Sequence, residues 1–299
     1  MSLETEVAGI KLRNPLILAS GILGMTPSLL KRVERAGAGA LTTKTILPRP
    51  SRGYENPVVV ELPFGMLNAM GLPNPGIDEF EREFKEARGC IEIPVIGSAG
   101  GNTPEEVAHV AGRLQDCGVD AVELNASCPH VRGHGIEIGS TPELMRELVS
   151  EVRRSVKIPI IVKLSPMVPD IVSLGRSAFE SGADALNAIN TVRAMYIDVD
   201  AMTPVLSNKF GGLSGPAIRP IAVRCVYELA GICDVIGTGG VETWRDAVEM
   251  ILAGARAVGI GTAIYRRGLE VFEEINRGLE SYLLKKGLSL REIIGRARS

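Results

Sequence analysis

Eight short apolar runs, separated by longer amphipathic stretches, constrain this chain more than any single residue does. They are Pro15–Ser20, Gly39–Thr45, Ile93–Gly100, Asp120–Ser127, Ile158–Ser165, Ala183–Asn190, Cys233–Gly240 and Ala255–Ala263. Each is continuously apolar rather than alternating, which is the pattern of strands buried on both faces in a parallel sheet. The stretches between them carry helix signals. Thr103-Pro104-Glu105 and Thr141-Pro142-Glu143 each read as an N-cap followed by proline in the first turn. Further helices are expected near 27–36, 74–88, 169–181, 216–230 and 243–253, several ending at a glycine before the next strand. Eight strand–helix units in 299 residues predict an α/β fold, a single (β/α)8 barrel occupying residues 1–299 as one domain. A doubly wound sheet is the alternative.

An N-terminal β-hairpin is expected ahead of the barrel, from Glu4–Ala8 and Ile10–Leu12 with its turn at Gly9. Two connections, Ile46–Pro73 and Thr191–Leu213, are too long for simple turns. Both follow strands, so both are expected as long loops over the C-terminal face, where barrels of this kind place their ligands. Val58–Leu62 in the first has the composition of a small extra strand.

Composition narrows the partners. Hydrophobic residues make up 45% and the formal charge is −2. That balance offers no basic excess for nucleic acid or a membrane surface. The start lacks the order of a signal peptide, and no apolar run approaches the ~20 residues that span a bilayer. The cytoplasm is the default compartment. The five cysteines are odd in number and none is spaced as CxxC, so neither a disulfide framework nor a metal motif is apparent. Cys90, Cys117, Cys225 and Cys233 read as small buried or half-buried residues. His109 reads as a helix-surface residue.

Polar groups gather at the ends of the apolar runs: Ser20, Lys44, Thr45, Ser98, Asn125, Lys163, Asn190 and Thr191. A single lysine at a strand end is usually solvated. Two lysines and two asparagines on one rim fit a planar heterocycle held with an anionic cofactor, because asparagine can both donate and accept. Near the C-terminus, Gly237–Gly240 and Gly259–Thr262 are glycine-rich turns at consecutive strand ends. They are either tight strand–helix turns that need glycine for geometry, or the phosphate site that barrels build after strands seven and eight. The pair in this order favours phosphate. Asn68–Asn74 (NAMGLPN) lies in the first long loop and reads equally as a polar ligand contact or an ordinary turn.

One run ends unlike the rest. In VELNASCPHVRGHG, Val122–Gly135, a strand carrying a glutamate and an asparagine breaks at Ser127-Cys128-Pro129 into a loop dotted with glycine. Cys128 has three readings: a buried structural cysteine, a nucleophile assisted by His130, or a general base. A thiol with a reference pKa of about 8.5 suits proton removal from carbon far better than a serine does. His130 reads as a solvated loop residue, and Gly133, Gly135 and Gly139 would let the loop open and close.

Taken together, ELNASCPH, NAMGLPN, TTKT, VKLSP, AINT, GGLSGPAIRP, GTGGV and GIGTA resemble the class 1 dihydroorotate dehydrogenases, in family order and over nearly the whole chain. The resemblance implies an FMN-containing (β/α)8 (TIM) barrel that oxidises dihydroorotate to orotate in pyrimidine biosynthesis. It makes Cys128 the base. It assigns substrate binding to Lys44, Asn68, Ala69, Met70, Gly71, Leu72, Asn125, Asn190 and Thr191. It assigns FMN to Ser20, Lys44, Thr45, Ser98, Asn125, Lys163, Ile189 and Gly215, with the phosphate on Gly239, Gly240, Gly261 and Thr262. Lys163 then has a physical rationale, since a cation near the flavin's pyrimidine edge stabilises the reduced form. No metal site is implied.

CPHVRGHGIEIG resembles the class 1B catalytic subunit more than the fumarate-using class 1A enzymes. Class 1B implies a homodimeric core in a heterotetramer, with electrons passing to a partner subunit that carries FAD and a [2Fe–2S] cluster, and then to NAD. This chain lacks both cluster-spaced cysteines and a dinucleotide fingerprint, consistent with such a partner. The flavin domain of dihydropyrimidine dehydrogenase shares ELN-x-SCPH and is the nearest rival. A non-catalytic flavin- or phosphate-binding barrel is the rival from another class.

Overall fold

The computed structural model describes residues 2–126 and 139–298. Eight parallel strands close on themselves: β1 (Leu16–Leu18), β2 (Ala40–Thr42), β3 (Val95–Ala99), β4 (Ala121–Leu124), β5 (Ile160–Leu164), β6 (Ala185–Ala188), β7 (Asp234–Thr238) and β8 (Ala257–Ile260). Each strand pairs with its successor, and β8 returns to β1 through Val258↔Leu16, Gly259↔Ile17 and Ile260↔Leu18. Closure removes both sheet edges, which distinguishes this (β/α)8 barrel from the doubly wound alternative.

The period of two along a strand divides the interior from the helix-facing side. Leu16, Leu18, Leu41, Val95, Val122, Leu124, Val162, Leu164 and Leu186 belong to the cluster between barrel and helices. The other parity points inward. Its lowest level consists of Ile17, Ile96, Ile161 and Ile236 from odd strands and Ala40, Ala121, Ala185 and Ala257 from even ones. Branched and small side chains therefore alternate around the barrel. The space below the alanines is taken by Val7, Ala8 and Leu12 of the N-terminal hairpin, which complete the same cluster.

That hairpin pairs Thr5–Val7 with Ile10–Leu12 as expected. Its two-residue turn, Ala8 and Gly9, has φ of 52° and 76°, the paired positive values that match the twist of a hairpin. The Ala8 N–H donates to Asp234 Oδ2 at 3.0 Å, tying the turn to the start of β7.

The helices surround this core: α1 (Pro27–Arg35), α2 (Ile77–Ala87), α3 (Pro104–Asp116), α4 (Pro142–Ser155), α5 (Ile171–Glu180), α6 (Arg219–Leu229), α7 (Trp244–Ala253), a short α8 (Thr262–Arg267) and α9 (Val271–Lys286). Thr103 and Thr141 cap α3 and α4, accepting from the N–H groups of Glu106 and Leu144 at 3.3 Å. Three helix starts differ from the sequence expectation. Asn74 holds a loop instead of opening α2: its Oδ1 accepts from Leu47 and Gly76, and its amide donates to Leu72. Asp170, not Pro169, opens α5 as its N-cap. Pro216–Ile218 forms a 3-10 turn before α6. Helix α9, which sequence reading did not single out, buries Phe272, Ile275, Leu279 and Leu283.

The two long connections do not lie over the barrel separately. They join in one antiparallel sheet of four strands, in the order Val192–Ala194, Gly211–Ser214, Gly65–Asn68 and Val59–Leu62. Gly65 is required there, because a Cβ would lie 2.2 Å from the Ser214 carbonyl oxygen. No helix among the described residues is long and apolar enough to cross a membrane.

Shortening Leu12 to alanine should open a cavity in the plug and cost about 2–5 kcal/mol in a denaturant titration, as for other buried leucines. Alanine at the exposed neighbour Lys11 should change stability by less than ~0.5 kcal/mol.

Candidate active site

Ascending two residues along each strand changes the interior from apolar to polar. The next inward positions are Ala19, Thr42, Ser98, Glu123, Lys163, Asn187, Thr238 and Gly259, and all but Ala19 and Gly259 are buried polar or charged side chains. Above them a cavity of about 490 Å³ opens beneath the four-stranded sheet. Lys163 and Thr238 reach it from the floor, while Ser20, Lys44, Thr45, Asn125, Ile189, Asn190 and Thr191 surround it at the strand ends. Asn68, Met70, Gly71 and Leu72 come down from the roof, and Gly215, Gly239, Gly240, Gly261 and Thr262 close one end.

The rim is held by a continuous polar chain. Ser98 Oγ and Thr45 Oγ1 lie 3.0 Å apart, the Asn125 amide donates to Thr45 Oγ1 at 3.0 Å, and the Asn190 amide donates to Asn125 Oδ1 at 3.4 Å. Asn190 Oδ1 in turn accepts from the Thr191 N–H at 2.8 Å. Four barrel strands thus lock one another's side chains in place. Ser98 is wholly buried and stands behind Thr45 rather than on the cavity wall. Ala69 is likewise buried behind the wall.

In the roof, the Asn68 amide donates to the Gly212 carbonyl at 3.3 Å, which fixes the side chain between the two long connections. Gly71 and Leu72 have φ of 71° and 52°, and a Cβ on Gly71 would lie 2.7 Å from the Tyr54 nitrogen. NAMGLPN is therefore both a tight turn and part of the cavity.

At the glycine-rich end the two sequence readings also coexist. Gly240 needs its positive φ of 73°, and a Cβ would meet Arg219 Cβ and the Gly215 oxygen, each at 2.7 Å. Gly261 differs. A Cβ there would meet Ala19 and Ile22 only at ordinary van der Waals distances, 3.6 and 3.8 Å, so packing alone does not demand glycine at this point of the cavity wall. Thr262 Oγ1 donates to Ser214 Oγ at 2.7 Å, joining this end to the roof. Arg219, behind Gly240, is paired with Asp246 at 2.5 Å and Glu249 at 3.0 Å. Its charge is largely compensated, so backbone N–H groups must supply most of the attraction for an anion here.

Several groups at the cavity lack a full set of partners among the described residues. Ser20 Oγ and Thr238 Oγ1 are buried, line the cavity and have no hydrogen-bond partner among the described residues. Lys44 is half-buried, and desolvation draws its pKa below the ordinary lysine value. Both observations fit an anionic, polar ligand. The candidate base Cys128 and the neighbouring Ser127, His130, Gly133 and Gly135 lie outside the described residues. Asn125 and Ala126 lead into that stretch, and Gly139 returns against Ala126, where a Cβ would lie 2.6 Å from the Ala126 oxygen.

The other thiols are ill suited to chemistry or differ from expectation. Burial pushes Cys117 up to about 11 and Cys233 up to about 12, and also raises Cys225. Cys90, expected to be buried or half-buried, is exposed, because the 3-10 turn Arg88–Cys90 at the end of α2 buries none of its residues. His109 is exposed on α3 as expected. Among the described residues, no group of three or more His, Cys, Asp or Glu side chains could hold a metal ion.

Sequence reading missed Asn187 and gave no role to Glu123, although both lie two positions before residues it chose. The inward parity shared by Glu123 and Asn125, and by Asn187 and Ile189, was the available signal.

Comparison with known proteins gives this arrangement a family. The family model described as "Dihydroorotate dehydrogenase" matches residues 2–283. A Pyrococcus abyssi protein named "Dihydroorotate dehydrogenase B (NAD(+)), catalytic subunit" is 54% identical over 298 residues, covering 99% of each chain. Proteins of the same name from Pyrococcus horikoshii and Methanocella arvoryzae are 53% and 48% identical, covering 99% of this chain and 97% and 98% of theirs. With the match extending through every barrel strand and both halves of the roof, the chain belongs to the dihydroorotate dehydrogenase family.

Proposed function

We propose that this chain is the FMN-binding catalytic subunit of a class 1B dihydroorotate dehydrogenase, oxidising dihydroorotate to orotate in pyrimidine biosynthesis. The observation that carries this reading is the convergence of Lys44, Lys163, Asn68, Asn125 and Asn190 on one cavity in a chain about half identical to subunits of that name. The cavity falls in the range of roughly 300–1,000 Å³ that holds small molecules and cofactors. Its Ser20 and Thr238 hydroxyls, which have no partner among the described residues, and its half-buried lysine suit an anionic flavin.

Gly239, Gly240, Gly261 and Thr262 would take the FMN phosphate, while Ser20, Lys44, Thr45, Asn125, Lys163, Ile189 and Gly215 hold the remainder. Ser98 contributes by fixing Thr45. Bound FMN supplies a hydride acceptor. On the substrate side, Asn68, Asn125, Asn190 and Thr191 orient the ring through its amide edges, with Met70, Gly71 and Leu72 closing over it and Ala69 supporting them from behind. Cys128 takes the proton from the ring carbon beside the carbonyl onto its sulfur. The polar chain from Ser98 to Thr191 makes the orienting groups rigid before substrate arrives, which is where such sites gain rate.

The electrons leave for NAD through a partner subunit bearing FAD and a [2Fe–2S] cluster, and two catalytic chains form the core of a heterotetramer. The relatives' designation as catalytic subunits supports a separate partner. Residues 1–299 act as one FMN-binding domain in the cytoplasm.

The test is spectroscopic. Protein reconstituted with FMN should lose its visible flavin absorbance when dihydroorotate is added without oxygen, and dihydrouracil should do so far more slowly. Preference for dihydrouracil, or a chain that cannot be reconstituted, would overturn the assignment. Cys128→Ser should slow anaerobic flavin reduction by about 10²–10⁴-fold at neutral pH, the usual contribution of a positioned base.

Lys44 gives a pH signature. Its ammonium is present below its lowered pKa and lost as pH rises through it, so affinity for anionic orotate should fall on the alkaline side. Orotate titrations in the Cys128→Ser background, where the thiol no longer ionises, should show this fall, and a further Lys44→Met change should flatten it.

A further inference from the structure

The buried polar level beneath the cavity contains a carboxylate that the proposed chemistry does not use. Glu123 is 1% exposed on β4. The Asn187 amide donates to its Oε2 at 2.6 Å. Its other oxygen, Oε1, has no hydrogen bond among the described residues and lies 4.0 Å from Lys163 Nζ. Asn187 on β6 is the register partner of Lys163 on β5, so anchor, carboxylate and cation are set by adjacent strands of the rigid barrel. Lys163 is itself 7% exposed and lines the cavity floor.

The barrel has no evident structural need for this charge. One level below, alanines and isoleucines fill the interior with no polar atom. Burying a carboxylate costs several kcal/mol, and a buried ion pair is commonly no more stable than apolar residues of the same volume. At 4.0 Å the two charges are too far apart for a strong hydrogen bond but close enough for strong Coulombic coupling in a buried setting.

We propose that Glu123, anchored by Asn187, is a positioning residue that fixes the Lys163 ammonium under the flavin and offsets part of its charge, so that the Glu123–Lys163 pair sets how readily bound FMN is reduced. This rests on the reading of the cavity as an FMN site. The carboxylate acts through the lysine and touches neither substrate nor cofactor. Without its charge, the floor becomes more positive and the anionic reduced flavin is favoured.

The experiment is an anaerobic equilibrium of FMN-loaded protein with a redox dye of similar potential, at one fixed pH for all variants. Glu123→Gln preserves the shape and an acceptor for Asn187, and should raise the reduced-to-oxidised ratio of bound FMN by roughly tenfold, as a unit charge acting through a partly buried path would. Glu123→Asp keeps the charge and should remain near the parent ratio. An unchanged ratio in Glu123→Gln, or a shift towards oxidised flavin, would overturn the proposal. If Glu123→Gln fails to fold, the double variant Glu123→Gln/Lys163→Met decides: recovered folding supports a coupled pair, whereas continued failure makes Glu123 a packing residue and sinks the idea. FMN titration of the parent apoprotein separates the two levels of inference. Failure to bind FMN would remove both this role and the proposed function, while normal binding with an unaltered Glu123→Gln ratio would remove this role alone.

Discussion

The inward parity of eight closed strands is the constraint on which everything else in this molecule depends. Closure fixes each strand's register against two neighbours, so a one-residue slip in any strand would turn its whole inward set towards the helices. With the register fixed, one two-residue step separates Ala121 from Glu123, and another separates Glu123 from Asn125. The same steps lead from Ile161 to Lys163, and from Ala185 through Asn187 to Ile189. Apolar plug, polar floor and cavity wall are therefore successive levels of the same strands. The hairpin at the bottom keeps water from the lowest level, and the polar level above it can then hold charges in a setting where they act strongly.

The roof is the second structural dependency, and it comes from outside the barrel pattern. Two connections separated by more than a hundred residues pair in one antiparallel sheet, and Asn68 is positioned by a carbonyl from the other connection. Neither connection could hold its side chains over the cavity alone, because a two-stranded ribbon is at best marginally stable in water. The glycines at 65, 71 and 240 serve this assembly as much as any ligand, since each sits where a side chain would strike backbone. Gly261 stands apart, because a Cβ there would make only ordinary contacts.

This division explains what could be read from sequence. The barrel was legible because continuous apolar runs and threonine–proline caps are local signals, and eight strand–helix units favour a closed barrel over a doubly wound sheet. The rim was legible because Ser20, Lys44, Asn125 and Asn190 interrupt those runs at their ends. Helix starts were less so: Asn74 carries the composition of an N-cap, but its side chain bonds to Leu47, Leu72 and Gly76. The pairing of Val192–Ala194 with Gly211–Ser214, and of that strand with Gly65–Asn68, depends on long-range register that no short window carries. Glu123 and Asn187 were passed over for a different reason. They lie inside apolar runs, where a polar residue resembles an imperfection until its neighbours across the barrel are known.

The two lysines of the cavity show why that inner level matters. They face the same space but stand in different surroundings. Lys163 has a carboxylate supplied by the barrel, placed by Asn187 and shielded from water. Lys44 is burdened by desolvation, which depresses its pKa. A buried cation without a counter-charge is costly unless a ligand supplies one. The asymmetry suits the proposed FMN site: a barrel carboxylate already faces Lys163, whereas an entering anion would offset the desolvation of Lys44. In that reading, anionic ligands would be drawn to one lysine while the barrel's own carboxylate governs the field at the other.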